Sequence, residues 1–369
     1  MKKRMLKNIE WTILISVILL LIIGLVALFS ATKNTNYDEF KKQLIWIAVS
    51  IPVFIFSIMV DYQRIIKYSY VVYVILLGLL VAVLFTPSIN GATSWFDLGM
   101  FSFQPAELMK IFAIIVVSSV IVNIQRHGGN DQISKPLKLL FVLLFVAIPI
   151  FLILKQPDYG TAGAFLVATI FILFSSGIKK RYIVIAIILT VIILPILYYF
   201  VIPEHAKTRI DVFFNPELDP RGAGYNSMQS KLAIGAGQFL GMGLLKGNQT
   251  QLGFLYPKTT DFIFAVICEE MGFIVGTIVI CLYVALITKG IYVAKTAKDD
   301  LGSYIAIGIT GIFVFHVLEN IGMTMGILPI TGVPLPFVSY GGSSLITNFI
   351  LIGLLLNISA RRKKVIFVE

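Results

Sequence analysis

Apolar segments long enough to cross a lipid bilayer recur along most of this chain, and no other feature restricts its fold so strongly. The first runs from Trp11 to Ser30. A helix that crosses the hydrocarbon needs about 20 apolar residues. A window of that length predicts about ten spans, at 11–30, 43–60, 70–86, 105–123, 139–154, 163–178, 182–202, 262–288, 303–322 and 343–359. Only 13% of the 369 residues are charged, against about 25% in a soluble domain, and the mean hydropathy is +0.92. These features predict an all-α polytopic membrane protein, folded as one domain over residues 1–369. The segment 11–30 is read as a retained helix, because a cleavable signal has a shorter core followed by a small-residue site.

Charge gives the spans a direction. A net charge of +11 suits nucleic acid only when it forms a basic stripe on a soluble face. Here the Lys and Arg residues fall in short runs between apolar segments, the pattern that orients membrane proteins, so no nucleic-acid partner is expected. Lys2, Lys3, Arg4 and Lys7 mark the N-terminus as cytoplasmic, and Arg361, Arg362, Lys363 and Lys364 mark the C-terminus likewise. An even number of crossings satisfies both ends. The segment 223–245, apolar but holding five glycines with Gln229, Ser230, Lys231 and Gln238, is therefore predicted not to span. It is expected to be re-entrant or interfacial, inside a large extracytoplasmic loop, 203–261, between spans seven and eight. Inner loops such as Lys179-Lys180-Arg181 are short and basic. The outer loops 87–104, 155–162, 203–261 and 323–342 carry Gly, Pro, aromatics and isolated charges, and function concentrates on loops held by a rigid scaffold. The outer face is the predicted working face.

Five groups of residues on or near that face carry chemistry. Trp95 precedes Pro105-Ala106-Glu107-Leu108-Met109-Lys110, where Glu107 and Lys110 lie three apart on one helical face; they fit an interfacial anchor with an ordinary ion pair as well as a functional pair. Asp158, in Gln156-Pro157-Asp158-Tyr159-Gly160, suits a helix cap or a ligand contact. Asp261, in Lys258-Thr259-Thr260-Asp261-Phe262, also suits a cap; with Lys258, Arg209 and Lys231 supplying cations to a pyrophosphate, it suits a general base. Glu269 and Glu270 on one span, with His316 and Glu319 on the next, are intramembrane ionisable groups, which usually pair. The expectation is that one of these glutamates pairs with His316, as a structural clasp or a catalytic element. The last group, Leu328 to Ser344, holds prolines and glycines that cannot continue a helix, together with Ser339 and Ser343. Its free backbone groups must be buried in protein or face a cavity. Cys268 and Cys281, about 20 Å apart on a helix, are packing residues, and no metal-ligand cluster is evident.

The stretches Trp95–Lys110, Gln156–Ala162, Asn215–Gly243, Thr250–Gly272 and Asn320–Ser344 together resemble, in family order, the SEDS family (shape, elongation, division, sporulation) that includes RodA, FtsW and SpoVE. Thr250–Leu255 and the short termini look more like the RodA branch. Tyr256-Pro257-Lys258-Thr259 departs from the pattern, since many relatives carry an acidic residue and a His there; the role of Lys258 is left open. The resemblance implies a GT-C-like fold and a peptidoglycan glycosyltransferase of cell-wall elongation that polymerises lipid II outside the bacterial cytoplasmic membrane. It implies that Asp261 is the essential acid and Trp95 an important loop residue. It also implies a class B penicillin-binding protein as partner, other membrane proteins of the elongation complex, and a divalent cation, Mg or Mn, in support.

The chemistry that follows has Asp261 deprotonating the 4-hydroxyl of an acceptor sugar. That oxygen attacks the anomeric carbon of the lipid-linked donor with inversion. Undecaprenyl pyrophosphate leaves, its charge met by Lys110, Arg209 or Lys258, with Glu107 orienting Lys110. Gln229 and Ser230 fall in the stretch expected to border a groove for the prenyl tails. A lipid II flippase is the rival reading, but it needs access from both leaflets, whereas the unusual residues lie near one face.

Overall fold

The computed structural model describes residues 8–88, 92–97, 99, 102–182, 184, 185, 188, 192, 204–219 and 222–362. Among them the chain is helical, with one two-residue hairpin. Helices α1 (Trp11–Ala31), α2 (Asp38–Met59) and α3 (Tyr62–Ala82) lead to strands β1 (Phe96–Asp97) and β2 (Ser102–Phe103). Helices α4 (Pro105–Arg126), α5 (Pro136–Lys155), α6 (Tyr159–Ser175), α7 (Glu204–Phe214), α8 (Ala223–Ala236) and α9 (Asn248–Gln251) follow. Helices α10 (Ile263–Lys295), α11 (Asp300–Thr324) and α12 (Gly342–Ala360) complete the described chain. Among the described residues eight helices are long and apolar enough to cross a membrane, and α6 is a shorter apolar helix of 17 residues. The predicted span 182–202 falls largely outside the described residues.

Local chemistry sets the helix starts. Asp61, Asp158 and Asp299 accept hydrogen bonds from Gln63, Thr161 and Gly302 N–H groups, satisfying donors that a helix N-terminus leaves free. Pro105 and Pro136 occupy the first turns of α4 and α5, where a missing N–H has no consequence. The helices outrun their apolar stretches because such flanking polar residues continue them; α2, for example, opens on Asp38 and Glu39.

Helices α4, α11 and α12 form the centre: 72%, 72% and 89% of their most apolar stretches are buried, against 17% for α2 and 22% for α5. Helix α11 packs on α6 and α10, α12 on α2, α10 on α1, and α3 on α4. Close approach needs small residues where no hydrophobic effect drives association; Gly311 faces Ala168, and Gly353 faces Ser57. Gln104 reaches Asp158 at one end of the bundle, and Tyr62 and Gln63 reach Asp299 at the other. The starts of α4, α6, α10 and α12 therefore share an end with the close of α11.

Helix α10 is interrupted at Gly272 (φ 83°, ψ 177°), a conformation that only glycine adopts without strain. The interruption frees backbone groups, and residues 238–243 take them. Met242 and Gly243 N–H donate to Glu269 and Glu270 carbonyls (2.8 and 3.0 Å), while Phe273 and Ile274 N–H donate to Gln238 and Phe239 carbonyls (2.8 and 3.3 Å). A Cβ on Gly237, Gly241 or Gly272 would collide with the opposing backbone. The glycines of 223–245 thus serve a backbone-to-backbone contact: the segment is helix α8 followed by a stretch docked on the break. Upstream, residues 263–270 are wholly buried, whereas Phe273 and Ile274 just past the break are 61% and 47% exposed.

Candidate active site

The Pro- and Gly-rich segment 328–342 carries backbone carbonyls that no helix can pair, and side chains from the surrounding helices pair them. His316 Nδ1 lies 3.1 Å from the Pro334 carbonyl, and Asn320 Nδ2 donates to the Val333 carbonyl at 2.8 Å. Tyr283 Oη donates to Pro336, and Gln43 Nε2 donates to Ser339. The loop, buried at Val333 and from Leu335 to Ser339, is held by three helices that pair four of its carbonyls, as buried polar backbone requires.

The same loop fixes Asp261. Three successive carbonyls are taken from one side: Thr259 by Tyr340 N–H (2.9 Å), Thr260 by Ser339 Oγ (2.6 Å) and Asp261 by Asn320 Nδ2 (2.9 Å). The Asp261 carboxylate lies against Gly332, where an added Cβ would come within 3.4 Å of Oδ2, and the residue stays partly exposed. The predicted cap role is corrected: Phe262 is the N-cap of α10, with no side-chain cap bond. One residue before Gly332, Thr331 Oγ1 donates to Glu319 Oε1 at 2.7 Å, so a buried second carboxylate stands behind the loop that faces Asp261.

The expected pairing of Glu269 or Glu270 with His316 is also corrected. Glu269 accepts from Gln249 N–H (2.7 Å), Thr250 N–H (3.0 Å) and Thr250 Oγ1 (2.6 Å). Glu270 accepts from Leu245 and Gly247 N–H (both 3.3 Å) and from Gln251 Nε2 (2.8 Å). Docking at the break brings the 245–251 turn over both glutamates, and its buried amides need acceptors. Charge-assisted bonds to carboxylate supply them. Lys258 Nζ donates to the Thr250 carbonyl at 2.7 Å, joining this turn to the segment that carries Asp261. Burial holds the Lys258 ammonium below the ordinary lysine range, and the charges of Glu270, Glu39 and Glu269 pull it back up.

His316 instead meets Lys110. The Lys110 ammonium, 1% exposed, lies 2.9 Å from Glu107 Oε1 and 3.2 Å from His316 Nε2, inside the bundle. That geometry pairs Glu107 with Lys110 and places His316 beside the ammonium.

The remaining predicted residues bind other elements. Asp158 caps α6 and accepts from Gln104 Nε2 at 2.7 Å. Ser343 Oγ accepts from Gln104 N–H and donates to the Ser102 carbonyl, tying the hairpin to α12. Trp95, half-buried beside that hairpin, accepts at its carbonyl from Thr86 Oγ1. Ser230 Oγ donates to the Thr324 carbonyl at 2.8 Å, and the neighbouring Gln229 Oε1 is a buried acceptor without a partner among the described residues. The side chain of Arg209 lies outside the described residues. The structure thus gathers Asp261, Glu319 and Ser339 around the 331–339 loop, while Lys258 is bonded to the Thr250 carbonyl. Asn320, Thr250, Tyr283 and Gln43 were not singled out from sequence. The signal for Asn320 was an isolated amide one turn after His316 in an apolar span. Among the described residues no group of three or more His, Cys, Asp or Glu side chains is arranged to hold a metal.

Comparison with known proteins agrees with this architecture. The family model described as "Cell cycle protein", for FtsW, RodA and SpoVE, matches residues 10–364. The chain is 36% identical to the peptidoglycan glycosyltransferase MrdB of Escherichia coli K12 over 360 residues, covering 96% of this chain and 95% of that one. It is 30% identical to the peptidoglycan glycosyltransferase RodA of Treponema pallidum, covering 98% and 100%. A solved chain from a peptidoglycan synthase complex that coordinates polymerization and crosslinking superimposes with a TM-score of 0.83 at 25% identity, covering 96% and 99%. By the extent of these matches, the chain belongs to the FtsW, RodA and SpoVE family of cell cycle proteins, the SEDS family.

Proposed function

We propose that this membrane protein is a peptidoglycan glycosyltransferase that polymerises lipid II at the outer face of the bacterial cytoplasmic membrane, with Asp261 as general base. The observation that carries the reading is the fixation of Asp261: its segment is bonded at three consecutive carbonyls by α11 and the 328–342 loop, and the residue stays partly exposed. A general base must be held within hydrogen-bond reach of the proton it removes, and rigid support is what positions it. Asp261 takes the proton of the acceptor 4-hydroxyl as that oxygen attacks the anomeric carbon. The anomeric bond to undecaprenyl pyrophosphate breaks with inversion, and the lipid pyrophosphate leaves with the electron pair.

Lys258, three residues before Asp261, and Arg209 from the sequence reading are the cations that we assign to the leaving phosphates. Lys110 acts from within the bundle. Mg²⁺ is bound by one or two carboxylates together with substrate phosphates rather than by an all-protein cage. Of the two carboxylates near the 331–332 loop, that of Asp261 would meet such an ion together with the substrate phosphates, the ion supplying charge neutralisation, while Glu319 stands behind the loop bonded to Thr331. A class B penicillin-binding protein, crosslinking what this chain polymerises, is the partner that suits a chain similar to one in a peptidoglycan synthase complex.

Polymerisation of lipid II by the purified protein with its partner, comparing wild type with Asp261→Asn, tests the reading. Loss of a general base predicts a fall of about 10²- to 10⁴-fold. Glycan synthesis by the variant at the wild-type rate would remove Asp261 from the mechanism. Transfer of labelled lipid II across vesicles without polymer would favour a flippase, which the names of the relatives do not.

A further inference from the structure

We propose that His316 and Asn320 are positioning residues that couple the buried Lys110 ammonium to the backbone of Asp261. They lie four residues apart on α11, hence on one helical face. They take successive carbonyls of one loop, His316 at Pro334 (3.1 Å) and Asn320 at Val333 (2.8 Å). Each makes a second contact in a different direction. His316 Nε2 meets Lys110 Nζ at 3.2 Å, and Asn320 Nδ2 meets the Asp261 carbonyl at 2.9 Å.

The chemistry of both groups fits this use. A bond from His316 to a carbonyl requires the hydrogen on Nδ1. Nε2 is then left with its lone pair toward an ammonium, which can only donate. One neutral tautomer satisfies both neighbours. The Asn320 side chain is fully buried, and its amide hydrogens reach two carbonyls from different segments. Its Oδ1 has no partner among the described residues. Packing alone does not select such a group, because leucine fills similar space without burying an unsatisfied acceptor. An amide is retained there if holding two carbonyls outweighs the orphaned oxygen. Through Val333 and Pro334, movement at Lys110 and movement at Asp261 share one loop.

The catalytic part of this inference rests on Asp261 being the base, so its test has two readouts. The first is lipid II polymerisation by the full-length protein with its transpeptidase partner; the second is hydrogen exchange of peptides covering 257–263 and 331–341. Asn320→Leu is expected to lower kcat about 10- to 100-fold, as a misplacement of about 1 Å does, with KM little changed. It should raise exchange at Phe262 and Tyr340, whose N–H groups donate to Pro257 and Thr259 carbonyls. In an Asp261→Asn background it should add no further loss of rate. His316→Phe should act in the same direction, and His316→Gln, which can still offer Lys110 an acceptor, should restore part of the rate.

If the leucine variant does not fold, Asn320→Ala carries the same test, because it removes both donated hydrogen bonds without adding bulk or charge. Wild-type turnover in the Asn320 variants, or lost turnover with 257–263 protected as in wild type, would overturn the coupling. Wild-type turnover in Asp261→Asn alone would instead overturn the base assignment, and the exchange readout would still decide whether Asn320 holds that segment.

Discussion

Lys258 and Lys110 are both lysines near one end of the bundle, and their surroundings give them opposite characters. Lys258 is half-buried, and desolvation holds its pKa below the ordinary 10.5 despite Glu270, Glu39 and Glu269. A lysine whose folded pKa lies below its unfolded value binds its proton less tightly when folded. Its burial therefore costs stability at neutral pH, and the cost is relieved as pH rises through the folded pKa. Activity that depends on this charge should fall over the same window, earlier than an ordinary lysine deprotonates. Lys258→Arg, charged to beyond about pH 12, should move the alkaline limb of a pH–rate series upward; an unchanged limb would show that the charge is not used. Lys110 is buried against Glu107. Removing one partner of a buried pair costs about 3–5 kcal/mol, whereas replacing both with apolar groups is often neutral. Lys110→Met and Glu107→Leu should each lower the melting temperature, and the double variant should recover it. Recovery of folding without recovery of polymerisation would separate the pair's role in the reaction from its role in packing. Sequence spacing was enough to find this pair, because three-residue spacing on a helix forces proximity. It could not find the partner of His316, because Glu269 and Glu270 are taken by residues 245–251, a turn brought over them by docking at the break in α10.

That break belongs to the scale of the element. Nothing in the apolar pattern of 262–288 marks an interruption, since Gly272 sits in an apolar run that accepts glycine as readily as any membrane helix does. The glycines at 237, 241 and 243 were legible as a segment unable to span; that they dock on Gly272 was not, because docking is a property of two segments. Gly272→Ala should cost on the order of 1–3 kcal/mol for the backbone conformation alone, with further loss from the collision with residues 239–241. Thermal unfolding in detergent measures it, and a variant as stable as wild type would mean that α10 tolerates a continuous path. The loop 328–342 shows the reverse case. Its prolines and glycines predicted free carbonyls, and the structure supplies the donors from Gln43, Tyr283, His316 and Asn320.

Over the whole molecule, nine of the predicted spans correspond to described helices (α1 to α6 and α10 to α12). Recurrent apolar length is a signal carried by single segments, so sequence sufficed. The gathering of Asp261, Glu319, Asn320 and Ser339 needed the order in which helices pack, which segment-by-segment reading does not contain. Orientation remains an expectation from the basic loops, and it makes a direct prediction. In a background with both cysteines replaced, Lys180→Cys should react with an impermeant maleimide only from the cytoplasmic side, and Leu252→Cys only from the outside. The opposite pattern would place Asp261 at the wrong face for a lipid II polymerase.

The break in α10 also bears on how the chain enters the bilayer. As an uninterrupted helix, its 33 residues would measure about 50 Å, against a hydrocarbon thickness of about 30 Å. With the interruption, the stretch from Phe273 to Lys295 is left to meet lipid, about 35 Å at the same rise, a close match once modest tilt is allowed. The buried stretch before it never needs to be solvated by acyl chains. Since residues 238–243 are synthesised earlier, the partner segment for the freed carbonyls exists before Gly272 leaves the ribosome. Hydrophobic mismatch is thereby avoided by sequence order as well as by geometry.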